Sequence, residues 1–219
     1  MTSISFIKTP LLLSLLVSVL FTAGCATRDP YNYDALIAAK PRSILVIPPN
    51  NDTVEVGAPY VYISTISRPL AEKGYYVFPV AVIDQFMKEN GLPTPDEMNQ
   101  VPLDKIREII GADAVLYITI NQWGQKYNVL SSKAMVDFSM KLVDARTGNL
   151  LWDARASAVN DPGSSGGGLL GALVSAAVNQ VVGSLSDATP ELARTANYVA
   201  IDDSHRGLLN GPYAPVPAQ

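Results

Sequence analysis

DAVLYITINQWGQKYNVLSSKAMVDFSMKLVDARTGNLLWDARASA, Asp113 to Ala158, reads as three consecutive β-strands. From Met135 to Val143 the residues alternate, with Val136, Phe138, Met140 and Leu142 on one parity and Asp137, Ser139 and Lys141 on the other. A two-residue period is the mark of a half-buried antiparallel strand. Asp144-Ala145-Arg146-Thr147-Gly148-Asn149 then supplies a turn, in which Asp144 can cap backbone N–H groups and Gly148 can take a positive φ. Alternation resumes as Leu150, Trp152, Ala154, Ala156 and Ala158 against Leu151, Asp153, Arg155 and Ser157. The preceding run, Ala114 to Ile120, is apolar on both parities except at Thr119, which predicts a strand covered on both faces.

Upstream, Ser43 to Ile47 is a short apolar run ended by Pro48-Pro49 and fits a central strand. Asn50 to Ala58 reads as a polar loop. Pro59 to Lys73 carries a helical pattern closed by Gly74, and Pro69 within it predicts a kink or a late start. Tyr75 to Val82, YYVFPVAV, reads as a second strand, placed at an edge or a bulge by Pro79. A short helix over Ile83 to Asn90, a proline-rich connection over Leu92 to Pro102 and a helix over Leu103 to Ile110 follow. The expected architecture is α/β (α+β): a mixed β-sheet of about five strands with a C-terminal antiparallel meander or hairpin and packed helices.

Downstream, Asp161 to Gly168, DPGSSGGG, reads as a flexible break. Leu169 to Ser186 then carries no charge, with Gly171, Ser175, Asn179, Gly183 and Ser186 forming a small and polar stripe. The favoured reading is a core helix laid on the sheet, with an oligomer contact or a membrane insertion as the alternatives. Pro190 to Val199 predicts a last short helix, and residues 201–219 a flexible tail. Asp202, Asp203 and His205 in that tail are better read as solvated side chains than as a metal site.

The N-terminus reads as an address. Residues 1–24 hold Lys8, an apolar core from Leu11 to Phe21 and the small exit Thr22-Ala23-Gly24 before Cys25. The apolar run is about half of the roughly 20 residues needed to span a bilayer, so a secretory signal fits better than an anchor helix. Thr-Ala-Gly-Cys resembles the bacterial lipobox, which makes Cys25 the expected site of lipid attachment and of a firm membrane anchor. Ala26 behind it favours export to the outer membrane. The expected domains are thus a signal peptide over 1–24, a lipidated tether over 25–42, the α/β body over 43–200 and the tail over 201–219.

Composition narrows the chemistry. The chain has 219 residues, 48% of them hydrophobic and 16% charged, with net charge −4. Residues 1–24 contribute one base and no acid, so the remainder carries −5. An acidic chain without a basic cluster is a poor nucleic-acid binder. One Cys and one His exclude an intrachain disulfide and leave almost no soft-ligand metal chemistry. No G-x-S-x-G elbow, P-loop or H-E-x-x-H helix occurs, so no catalytic residue, cofactor or metal ligand is nominated. Trp123 and Tyr127 lie where a strand is expected to leave the sheet. They either anchor a partner, or Trp123 folds back over the sheet edge.

RPLAEKGYYVFPVAV (68–82), GADAVLYITINQWGQKY (111–127) and KLVDARTGNLLWDA (141–154), behind TAGC, resemble the bacterial lipoprotein family typified by a meningococcal vaccine-candidate antigen. That family has no assigned activity, so only Cys25 carries over, as the lipid-bearing residue. The resemblance implies a fold similar to the N-terminal domain of TolB. It also implies a non-enzymatic part in an envelope assembly or export complex, with CsgG-like lipoproteins as partners and the body facing the periplasm. A periplasmic or surface-exposed binder of a small ligand or cell-wall glycan is the alternative, and an unrecognised hydrolase a more distant one.

Overall fold

The computed structural model describes residues 30–128, 131–160 and 188–215, without the side chains of 125–133. The signal segment 1–24, Cys25, the break 161–168 and the helix expected over 169–186 lie outside the described residues. From Tyr31 onward the described elements belong to one unit. They run α1 (Asp34–Ala39), β1 (Ser43–Val46), β2 (Asn50–Asn51), α2 (Ala58–Glu72), β3 (Tyr76–Val77), α3 (Val80–Glu89), α4 (Pro95–Asn99), α5 (Leu103–Ile109), β4 (Ala114–Asn128), β5 (Ser131–Asp144), β6 (Leu150–Asn160) and α6 (Thr189–Ile201).

The strands form one mixed, six-stranded sheet in the order β3-β1-β4-β5-β6, with β2 also paired to β4. β1 and β2 pair in parallel with successive parts of β4, Val46 opposite Leu116 and Asn50 opposite Thr119. They amount to one strand broken by Pro48-Pro49, since proline offers no N–H to a ladder. β4, β5 and β6 form the antiparallel meander, with Phe138 opposite Ile120 on one side and Ala156 on the other.

Strand parity sorts the side chains into two cores. Ile44, Val46, Leu116, Ile118, Phe138, Met140, Leu142 and Trp152 face α2 and α6 on one side of the sheet. Leu45, Ile47 and Val115 face Ile83, Met87 and Ile106 of α3 and α5 on the other. The start of β4 is therefore covered on both faces, as its unbroken apolar run predicts. Among the described residues, β5 and β6 have helices on one face only, and Ser139, Lys141, Arg155 and Ser157 lie on the other.

Several expectations change. The strand expected over Tyr75 to Val82 is paired only at Tyr76–Val77, and α3 begins at Val80 on Pro79. Pro79 stands just before the helix as its N-cap and has no N–H to give to the ladder, so pairing stops ahead of it. Pro69 sits in the last turn of α2, which starts at Ala58 rather than late. The proline-rich connection contains α4, opened by a capping box between Thr94 and Glu97. The tether expected over 25–42 and the tail expected over 201–219 both give residues to the body. Tyr33 Oη donates to the Gly207 carbonyl at 2.6 Å, and Trp152 Nε1 donates to the Arg206 carbonyl at 2.8 Å. Gly211 N donates to the Lys73 carbonyl at 2.7 Å, and Tyr213 N to the Gly74 carbonyl at 3.0 Å. Gly74 has φ +85°, and a Cβ there would run into the backbone of Ala214, so both conformation and proximity require glycine.

Candidate functional site

Trp123 does not lie in a loop. β4 continues to Asn128, and a bulge between Ile120 and Gln122 inserts Asn121 as an extra residue. The extra residue shifts parity, so Trp123 comes opposite Val136 and joins the α2/α6 core as a half-buried ring. Tyr127 shares the strand, opposite Ser132, and its side chain is outside the described set.

Asn121 has a second effect on the open face. Its Nδ2 donates to Asp137 Oδ1 at 2.8 Å, and Arg155 Nη2 donates to the same oxygen at 3.1 Å. Asp137 is only 9% exposed, so a carboxylate on a face without helices among the described residues is shielded by its own partners. Asp144 is likewise absorbed locally, accepting from the N–H groups of Arg146 and Thr147 to build the turn foreseen at that position. Asp203 accepts from the N–H groups of Arg206 and His205, which hold its carboxyl below the usual range. Asp202 pairs with Lys73 at 2.8 Å, and His205 is exposed. Among the described residues no three His, Cys, Asp or Glu side chains gather as a ligand set.

What remains open are surfaces. On the side of β6 away from β5, Asp153 N–H donates to Tyr31 Oη at 3.0 Å, and its carbonyl accepts from Arg206 Nη2 at 3.1 Å. Burial, and after it the hydrogen bond to the Asp153 carboxylate, raises the Tyr31 hydroxyl pKa. Next to this closed point runs a groove of about 510 Å³ between β6 and α6, floored by Ala154, Ala156 and Ala158 and flanked by Ala196, Val199 and Ala200. A smaller hollow of about 290 Å³ lies between α1 and the C-terminal stretch, lined by Leu36, Ile37, Tyr75, Leu209 and Pro212. Burial there pushes the Tyr75 hydroxyl up to about 12. On the far side, Val54 and Val56 stand 99% and 82% exposed on a loop tied by Asn51, whose Oδ1 accepts from Thr53 and whose Nδ2 donates to the Glu55 carbonyl. None of these features was legible from periodicity, because each depends on which elements the topology leaves unpaired.

Residues 31–213 match the model of the family described as "Putative lipoprotein GNA1162-like". The chain is 40% identical over 205 residues to "Putative lipoprotein NMB1124/NMB1162" of Neisseria meningitidis serogroup B, covering 93% of this chain and 95% of that one. It is similar to the crystal structure of lipoprotein GNA1162 from Neisseria meningitidis, with 42% identity and a TM-score of 0.55 over 64% of this chain and 98% of that one. A match over most of both chains, in sequence and in fold, identifies the group: the chain belongs to the GNA1162-like lipoprotein family.

Proposed function

We propose that the protein is a lipid-anchored component of an envelope assembly or export complex that works by contact rather than by catalysis. Cys25 would carry the lipid, the outer membrane would hold it, and the body would face the periplasm with a CsgG-like lipoprotein among its partners. The observation that carries this reading is how the body uses its polar groups. Asp137, Asp144, Asp153 and Asp203 all serve neighbouring backbone or Arg groups, and the hollows among the described residues are an apolar one beside α1, a small-residue groove along β6 and one of about 630 Å³ lined by Asp104, Arg107, Glu108 and Arg146. Such surfaces fit protein partners better than they fit a reacting substrate.

The glycan-binding alternative leaned on an aromatic platform at Trp123, and the turn of that ring onto the core leaves it less support. The test is crosslinking in intact cells followed by mass identification of the captured proteins. A reproducible envelope-lipoprotein partner is the expected result, and recovery only as an uncomplexed chain would count against the proposal. The anchor is checked separately. Cys25→Ser should abolish incorporation of a labelled fatty acid and move the chain out of the membrane fraction.

A further inference from the structure

The hollow between α1 and the C-terminal stretch is walled by Leu36, Ile37, Pro41, Tyr75, Leu209 and Pro212. Backbone groups around it are engaged. Gly211 N donates to the Lys73 carbonyl, Tyr75 Oη to the Leu209 carbonyl, and Lys40 N to the Leu36 carbonyl at the end of α1. A peptide laid there would bring N–H and C=O groups with little to meet them, whereas a hydrocarbon chain brings none. The one charged side chain on the walls is Lys40, in a chain of net charge −4. It is exposed, and among the described residues it has no ion pair or side-chain hydrogen bond. Lys40 also stands at φ +48°, the left-handed position behind a helix that favours glycine. A cation is thus kept where a residue without a side chain would suit the backbone better.

We infer that this hollow takes one acyl chain of an anionic phospholipid, with Lys40 on the phosphate. At about 290 Å³ the space lies near the small end of the roughly 300–1,000 Å³ of small-molecule sites, which suits one narrow chain. Position favours a membrane lipid as the source. Tyr33 donates to the Gly207 carbonyl, two residues before Leu209, so the N-terminal segment and the hollow share one part of the surface. Cys25 lies eight residues before Tyr33. If it is acylated as proposed, the nearest hydrocarbon to the hollow is that of the surrounding bilayer. The inference rests on that anchored reading and adds to it a second, non-covalent hold that depends on headgroup charge. The covalent lipid holds the tether, whereas this contact holds the body itself.

The test uses the full chain, extracted from membranes and reconstituted into vesicles of phosphatidylethanolamine and phosphatidylglycerol. The probe is phosphatidylglycerol with a photoactivatable diazirine in one acyl chain, and the matching phosphatidylcholine is its neutral counterpart. Label should concentrate in residues 36–41 and 209–212, severalfold above α3, whose exposed Val82 serves as the surface control. Phosphatidylglycerol should label the hollow at least threefold more than phosphatidylcholine. Ile37→Asp should cut labelling by both lipids at least fivefold, and Val82→Asp should change nothing. Ile37 is 55% exposed, so its replacement spares the fold. Lys40→Gly should remove the preference for phosphatidylglycerol with no fall in the urea midpoint, since glycine suits the position. Label in the hollow no higher than in α3 would overturn the inference, as would an Ile37→Asp chain that labels like wild type or a Lys40→Gly chain that keeps the preference. So would stronger labelling of a chain ended at Pro215, which would mean that residues 216–219 fill the hollow themselves. Incorporation of labelled fatty acid at Cys25 is read separately, so an acylated chain with an unlabelled hollow defeats this inference alone.

Discussion

Asn197 shows how one side chain can lock two elements. Within the core its Oδ1 accepts from Tyr62 Oη at 2.8 Å, and its Nδ2 donates to Thr65 Oγ1 at 2.9 Å, tying α6 to α2. Both Tyr62 and Asn197 are fully buried, so removing one partner strands the other. Asn197→Leu should cost ~1–3 kcal/mol in urea unfolding, and adding Tyr62→Phe should recover part of that loss by removing the stranded hydroxyl. Tyr75 offers a pH test of burial. Its hydroxyl is raised from 10.0 to about 12, so the folded state holds the proton where the unfolded state has released it. Its contribution to stability is complete below pH 10 and is lost as pH rises toward 12. Spectrophotometric titration of wild type minus Tyr75→Phe should resolve one tyrosine ionising near 12, and a difference centred at 10 would contradict the burial.

The elements themselves were unequally legible. β5 and β6 could be read because every second side chain meets a helix, so Val136, Phe138, Met140 and Leu142 are all buried where parity put them. α5 and the turn at Asp144 followed from equally local chemistry. β2 could not, since a two-residue strand has no period and exists only through the neighbour it pairs with, and β3 was over-read, its expected Tyr75 to Val82 shrinking to the two residues that pair. The capping box at Thr94 and Glu97 was visible in the sequence as T-x-x-E, and the prolines around it masked the signal. The bulge at Asn121 was invisible, and with it the aim of Trp123. Deleting Asn121 should leave a regular strand in which Trp123 still opposes Val136. With Trp152→Phe to isolate the signal, tryptophan emission should stay unshifted, and a red shift would show that the ring had left the core.

At the scale of the whole molecule, the C-terminal stretch is a clasp rather than an appendage. It receives Trp152 at the Arg206 carbonyl, Tyr33 at Gly207 and Tyr75 at the Leu209 carbonyl, and so joins β6, the N-terminal segment and the end of α2. Gly74→Ala should loosen this clasp without touching the main core. The expected readout is faster amide exchange confined to residues near 74 and 207–214, with the amides of β4 and β5 unchanged. The family was legible through motifs, whereas the open surfaces were not, because a hollow between elements is a property of the assembled fold.

The hydrogen bond from Tyr31 to Asp153 also sets a length. If Cys25 bears lipid as proposed, six covalent steps separate the grease from the first docked ring, and a fully extended chain covers at most about 3.6 Å in each. The leash is then no longer than about 22 Å, short of the diameter of a small domain. Moored in that way, Tyr31 stays within this reach of the lipid, and a partner must meet the body close to the membrane.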